Sequence, residues 1–309
     1  MKKYLAALAI LSLLVVAAIY FFVPLSSPKE VCTAVAQWTI ENNEEARLNH
    51  PMGLAWGDGF LYVADTENGV VKKFREDGSL VSEWTGFKRP VAVTVVDKNV
   101  YVADFLTDRI AKLTTDGTLI AQWGGYGKGE GEFDAPSGIA ADGNGYVYVA
   151  DFYNHRIQKF TGDGEFVMQW GGQGRGSGRF HYPTDVAVSQ VEVFVADAYN
   201  HRIQKFTQKG VYLAKWGGLG YGISGKWFGW FRLAKAVTVD SHNNVYVADA
   251  FNYRVQKFTE EGELLGVWGK SQPGEEQLVQ YPAGVTVASD GTIYVSDFFK
   301  NRISKIECH

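Results

Sequence analysis

An all-β fold of six repeated four-stranded units is predicted by three observations. The strand ending LYVAD recurs as VYVAD, VYVAD, VFVAD, VYVAD and IYVSD, placing an Asp at Asp65, Asp104, Asp151, Asp197, Asp249 and Asp297. Five of the six units carry a Trp 19 residues after that Asp, at Trp84, Trp123, Trp170, Trp216 and Trp268. Five carry an Arg five residues after it, and all six carry a Lys eight residues after it. Six units over residues 32–309 average about 46 residues, the length of a four-stranded antiparallel propeller blade. A six-bladed β-propeller is therefore expected. The 35 Gly against 8 Pro suit the many tight turns this requires.

The elements follow in chain order. Lys2 and Lys3 precede an apolar run from Tyr4 to Val23. Twenty residues at about 1.5 Å each span roughly the 30 Å of a bilayer core, whereas a cleaved signal usually carries about 7–15 apolar residues. Residues 1–25 read as an uncleaved anchor, with a cleaved signal peptide as the alternative, and 26–32 as a linker. Two Lys on the inner side place everything beyond residue 25 outside the cytoplasm, on the cell membrane or, after cleavage, secreted. Residues 33–309 form the propeller domain.

The third unit shows one blade. A strand after Pro136 meets the Asp142-Gly143-Asn144-Gly145 turn, and Tyr146 to Ala150 is the second strand. Arg156 to Thr161 is the third, Gly162-Asp163-Gly164 a turn, and Phe166 to Trp170 the fourth. Gly171-Gly172 then opens a glycine-rich link to the next unit. No stretch of the repeat region holds helical periodicity.

The segment DFYNHRIQKF, followed by GGQGRGSGRFHYPTDVAV, resembles the NHL-repeat family of six-bladed β-propellers. The resemblance covers essentially residues 33 to 309. It implies a platform for binding proteins or other ligands; a minority of relatives, such as the peptidylglycine amidating lyase, are enzymes. Unit one departs from the pattern with Val70 in place of the Arg, and unit five with Ala234 in place of the Pro.

The sixth unit lacks a fourth strand, because 19 residues beyond Asp297 would pass residue 309. Gln37-Trp38 near the N-terminus echoes Gln122-Trp123 and Gln169-Trp170, so this segment is expected to complete the last blade and close the ring. Cys308 lies eleven residues after its Asp, and Cys32 six before Trp38. Both would flank the missing three-to-four turn, and a Cys32–Cys308 disulfide is expected in an extracytoplasmic chain.

A residue present in every blade answers a need of every blade. Asp104 with Arg109, Asp151 with Arg156, Asp197 with Arg202, Asp249 with Arg254 and Asp297 with Arg302 are read as structural pairs across the turn between strands two and three. The repeated Lys are read as solvated strand positions, and the Trp as core between blades. Functional residues are sought where the repeat breaks. The longest link, from Gly217 to Leu233, raises the Asp spacing to 52 and carries Tyr221, Trp227, Phe228, Trp230 and Phe231. The first four of these are candidate ligand contacts, with Tyr153, Tyr199 and Phe251 as neighbours on the same face. His155 and His201 share a position held by Asp108 and Tyr253 elsewhere, and are read as turn residues rather than metal ligands.

Charge narrows the function. The chain has 30 basic and 34 acidic residues, net -4, and the part beyond residue 30 is more acidic still, so no nucleic-acid partner is expected. The Gly-rich links end in no Gly-Lys-Ser/Thr and open no helix, which argues against phosphate binding. No nucleophile elbow is present. The leading expectation is a membrane-tethered extracytoplasmic platform for a protein, peptide or glycan, without a cofactor. The alternative is a metal-dependent lyase or hydrolase in the channel. The resemblance would place its metal-binding His directly after the blade Pro, where Met52, Val91, Ser137, Thr184 and Ala283 stand.

Overall fold

The computed structural model describes residues 32–38, 46–218, 228–269 and 279–308. Its 24 strands form six four-stranded antiparallel sheets. Blade three is the sequence reading made real: β10 (Pro136–Ala141), β11 (Tyr146–Asp151), β12 (Arg156–Thr161) and β13 (Phe166–Gly171) pair in chain order. The first strands of the other blades are β2 (Pro51–Gly57), β6 (Pro90–Val96), β14 (Pro183–Val188), β18 (Ala234–Val239) and β22 (Pro282–Val287). Each lies beside the first strands of both neighbouring blades, so together they ring a central channel. Gly138 allows this approach, since a Cβ there would strike the Asp185 backbone.

Alternation fixes which faces are buried. Second strands are buried on both faces, as VYVAD predicts, because each sheet is sandwiched between two others. The core is therefore a set of clusters between blades. One joins Ile139, Val147 and Phe160 of blade three to Ala103 and Ile110 of blade two. The repeated Trp belong here: Trp123 meets Phe160 at 5.9 Å, Trp170 meets Phe206 at 6.0 Å and Trp216 meets Phe258 at 6.1 Å, each pair crossing to the next blade.

Closure uses both ends of the described chain. β1 (Cys32–Trp38) pairs antiparallel with β24 (Arg302–Cys308), completing the sheet of β22 and β23 (Ile293–Asp297). Trp38 stands opposite Ile303, the register of Trp123 opposite Ile110. Cys32 stands opposite Cys308. Directly opposed residues have Cα atoms about 4.5–5.5 Å apart, within the about 4.4–6.8 Å that a disulfide spans. The expected anchor at 4–23 lies outside the described residues, among which no helix is long and apolar enough to cross a membrane.

One expectation changes. The repeated Lys are largely withdrawn from solvent, with Lys159 and Lys205 buried and the other four half-buried. Each stands opposite the aromatic residue of the second strand, Tyr148 for Lys159 and Tyr62 for Lys73. The Lys159 ammonium sits 3.9 Å from the Tyr146 ring centre and that of Lys73 4.1 Å from Phe60. The apolar stem is buried along the sheet while the charge rests on a ring face.

Candidate functional site

Every second strand ends at a buried Asp, and that carboxylate organises one face of the propeller. It accepts backbone N–H groups from residues just before the blade's Pro. Lys88 and Arg89 donate to Asp104 (both 2.8 Å), Asp134 to Asp151 (2.9 Å), His181 to Asp197 (2.7 Å), and Gln280 and Tyr281 to Asp297 (2.7 and 3.0 Å). Burial pushes the Asp151, Asp197 and Asp249 carboxyls up, against the pull of these amides and of the arginines.

The Asp–Arg pairs form in blades three, four and five, at 2.7, 2.7 and 2.9 Å, and more loosely in blade six, at 3.9 Å for Asp297–Arg302. Their role reaches beyond the turn. Arg156 also donates to the carbonyls of Lys128, Gly129 and Glu132, and Arg202 to those of Arg175, Gly176 and Arg179. Gln158 and Gln204 add a donor and an acceptor each to the same links. Asp, Arg and Gln thus clamp the glycine-rich link from the preceding blade.

Asp104 and Arg109 do not pair; this corrects the sequence reading. Arg109 is exposed and Asp104 is taken by the two amides. The link before blade two runs only from Thr85 to Arg89, between β5 (Leu80–Trp84) and β6. It is too short to fold back over Arg109 and offer it carbonyls. In blade one, Lys72 takes over from the absent Arg, at 3.1 Å from Asp65 and donating to the Arg47 carbonyl at 2.6 Å.

A second set of bonds links neighbouring turns. The residue four after each Asp has positive φ, and in blades two, three and six its side chain accepts a backbone N–H from the next blade. Asp108 accepts from Ala135 (2.8 Å), His155 Nδ1 from Tyr182 (3.0 Å), and Asn301 from His50 across the closure (2.8 Å). That is the role of His155. Burial, and secondarily His181, pull its pKa down. Among the described residues no three His, Cys, Asp or Glu gather to hold a metal.

On this face the channel opens into a cup of about 390 Å³. Six aromatic rings line it: Phe105, Phe152, Phe251 and Phe298 from the turns after second strands, with Tyr281 and Phe299. Their contacts are edge-on or tilted, as in Tyr281–Phe299 at 5.2 Å and Phe298–Phe299 at 5.1 Å. Met52, Val91 and Ser137 from first strands form the floor. Two cations enter this apolar bowl, Arg89 and Lys235. Arg89 is paired with Glu67 at 3.0 Å through one terminal nitrogen, while its Nε is buried without a partner.

Lys235 stands where cup and channel meet, lining both. Asp185, one position deeper on the neighbouring first strand, lines the channel only. They are the only charged groups on the channel wall among the described residues. Asp185 accepts the backbone N–H groups of Val186 and Val237, both at 2.9 Å. The two side chains face water inside the channel but are enclosed by protein on every side. Burial pushes Asp185 up to about 7, against its two amide bonds and Lys235. Burial pulls Lys235 down to about 8, against the attraction of Asp185, and Arg89 adds to the lowering.

The predicted ligand contacts fall into three groups. Phe251 lines the cup and is 45% exposed. Tyr153 and Tyr199 are exposed on the rim, both against Phe152, at 4.9 and 6.3 Å. Of the long link, Tyr221 and Trp227 lie outside the described residues. Phe228 is partly exposed near Arg254, and Phe231 is fully buried against Phe258. Trp230 is half-buried, and its carbonyl accepts from Arg254 and Gln256 at 2.7 and 2.9 Å. Lys235, Asp185 and Arg89 were missed. Their signal was available: Asp185 and Lys235 place charge where the other first strands carry small or uncharged residues.

The NHL repeat matches residues 133–160 and 180–206. No curated protein sequence matches the chain. Solved structures share its fold. A Bacteroides thetaiotaomicron protein of unknown function aligns with a TM-score of 0.67 at 16% identity, covering 93% of this chain and 74% of its own. A gluconolactonase from Xanthomonas campestris aligns at 0.64 and 14% identity, covering 93% and 99%. The virginiamycin B lyase of Staphylococcus aureus aligns at 0.59 and 16%, covering 86% and 85%. At such identities the likeness is one of fold.

Proposed function

We propose that this chain, an NHL-repeat β-propeller of six blades, is a membrane-tethered extracytoplasmic binding platform whose ligand site is the aromatic cup. The partner is a protein, peptide or glycan that presents an apolar group or a sugar face to the rings. The carrying observation is the convergence of six aromatic side chains on one concave mouth. Rigid rings offer large contact area with few rotamers to freeze. The tether reading rests on the Tyr4–Val23 run behind Lys2-Lys3. β24 begins at the Asp297–Arg302 turn beside the cup and ends at Cys308, one blade-height away. Cys32 is opposite that far end, so a membrane anchor preceding it leaves the cup facing outward. A Cys32–Cys308 disulfide there would fasten the closing strand.

The second reading, a metal-dependent lyase or hydrolase in the channel, draws on Asp185. One carboxylate beside a lysine offers a divalent ion few donors, so binding is the better-supported reading.

The test uses the full chain in lipid nanodiscs and two neutral probes, N-acetyl-Gly-Gly-Phe amide and maltotriose, followed by calorimetry. At least one should saturate a single site. Phe251→Ala with Phe299→Ala, both exposed cup residues, should weaken it at least tenfold without moving the melting temperature. If neither probe saturates, or the double variant binds equally well, the cup is not the site.

A further inference from the structure

We propose that the cup takes a ligand with an apolar body ending in a carboxylate, its head held by Lys235 and Arg89. This rests on the cup being the binding site. Lys235 makes no hydrogen bond and no ion pair with any described residue, although it stands at the floor of a bowl otherwise apolar. Its equivalents in the other five blades, Met52, Val91, Ser137, Thr184 and Ala283, are all uncharged, so no blade needs a cation there. An enclosed ammonium without a hydrogen-bond acceptor is costly, and that cost falls on the cup.

Asp185 does not discharge it. Its two oxygens each accept a backbone N–H, from Val186 and Val237, and it forms no ion pair with Lys235. The Arg89 terminal nitrogen is taken by Glu67, and its unpaired Nε is closed to solvent, so Arg89 acts on the cup through its charge. The unpaired Lys235 ammonium, with the Arg89 charge beside it, matches one carboxylate head. The six rings then cover the apolar body.

Titration sharpens the class. The charged groups that act on Lys235 are Asp185 from β14 and Arg89 from the link before β6. With Lys235 near 8, its charge is lost as the pH rises beyond that value. With Asp185 near 7, its competing negative charge disappears as the pH falls. Carboxylate affinity should therefore rise from pH 9 to pH 6.

Two sources share this chemistry, a small carboxylate and the C-terminus of a peptide. The probes are 3-phenylpropanoate and N-acetyl-Gly-Gly-Phe, each compared with its amide on the full chain in nanodiscs. The expected result is that at least one acid binds at least tenfold more tightly than its amide at pH 7. Lys235→Met should abolish that difference, and wild-type affinity should follow the pH profile above. Preference for one acid identifies the source. Should acids and amides bind alike, with no pH dependence, the head assignment fails while the cup remains a site. Should no acid or amide bind at all, both readings fail. The pH profile of the unmutated chain decides the matter even if Lys235→Met misfolds.

Discussion

Blades two and three carry the same Asp and Arg at the same spacing and use them differently. In blade three, Arg156 is buried and shares itself between Asp151 and three carbonyls of the preceding link. In blade two, Arg109 points to solvent beside an Asp that amides already satisfy. A repeated residue pair is thus no guarantee of a repeated interaction. The difference lies in the length of the link arriving from the blade before.

The comparison is broken most forcefully by truncating each arginine. Arg156→Ala leaves a buried Asp151 charge and several carbonyls without donors, and should cost about 3–5 kcal/mol in urea unfolding. Arg109→Ala should change stability by less than about 0.5 kcal/mol. Similar losses at the two sites would refute the clamp.

Next in size comes the closing blade, fastened by strand pairing to the other end of the chain where blade three is continuous. Cys32→Ser should lower stability by about 2–4 kcal/mol under oxidising conditions and by nothing under reducing ones. Peptide mapping that finds both thiols free in oxidised protein would remove the disulfide.

The smallest effect belongs to the turn position four after the Asp, filled by Asp108 in blade two, His155 in blade three and Asn301 in blade six. Burial lowers the His155 pKa, so the fold binds fewer protons there than the unfolded chain. Its share of stability is complete above the ordinary His range, about 6.5, and declines as the pH falls below it. His155→Asn keeps the acceptor for Tyr182 N–H and tolerates positive φ, as Asn301 does. Stability at pH 8 should be unchanged within about 0.5 kcal/mol, with a shallower loss toward pH 5. An unaltered slope would show that His155 does not sense pH.

The fold was legible because the period, the Trp spacing and the displaced Gln37-Trp38 are all one-dimensional signals. Blade number, strand order and the closing strand followed from them. The clamp was legible only in part. Asp151 and Arg156 are five residues apart, but the carbonyls they hold come from the blade before, and backbone atoms leave no letter in a sequence. The cup was half visible: Phe251, Tyr153 and Tyr199 were found as turn aromatics, while Lys235 was passed over. The family pattern puts metal-binding chemistry directly after a blade Pro, and Lys235 follows Ala234. Asp185 was hidden for a different reason, since it sits within PTDVAV, a segment read as repeat signature.

The closing sheet sets a condition on biosynthesis. β1 precedes every other strand of the ring, yet among the described residues it pairs only with β24, more than 260 residues later. Until residue 308 has been synthesised, the sixth sheet has no place for β1 and both keep unpaired edges, which are templates for aggregation. A chain that stops short never seals. The first strand of the ring is thereby a proofreader of closure, pairing only once the last strand of the ring has been made.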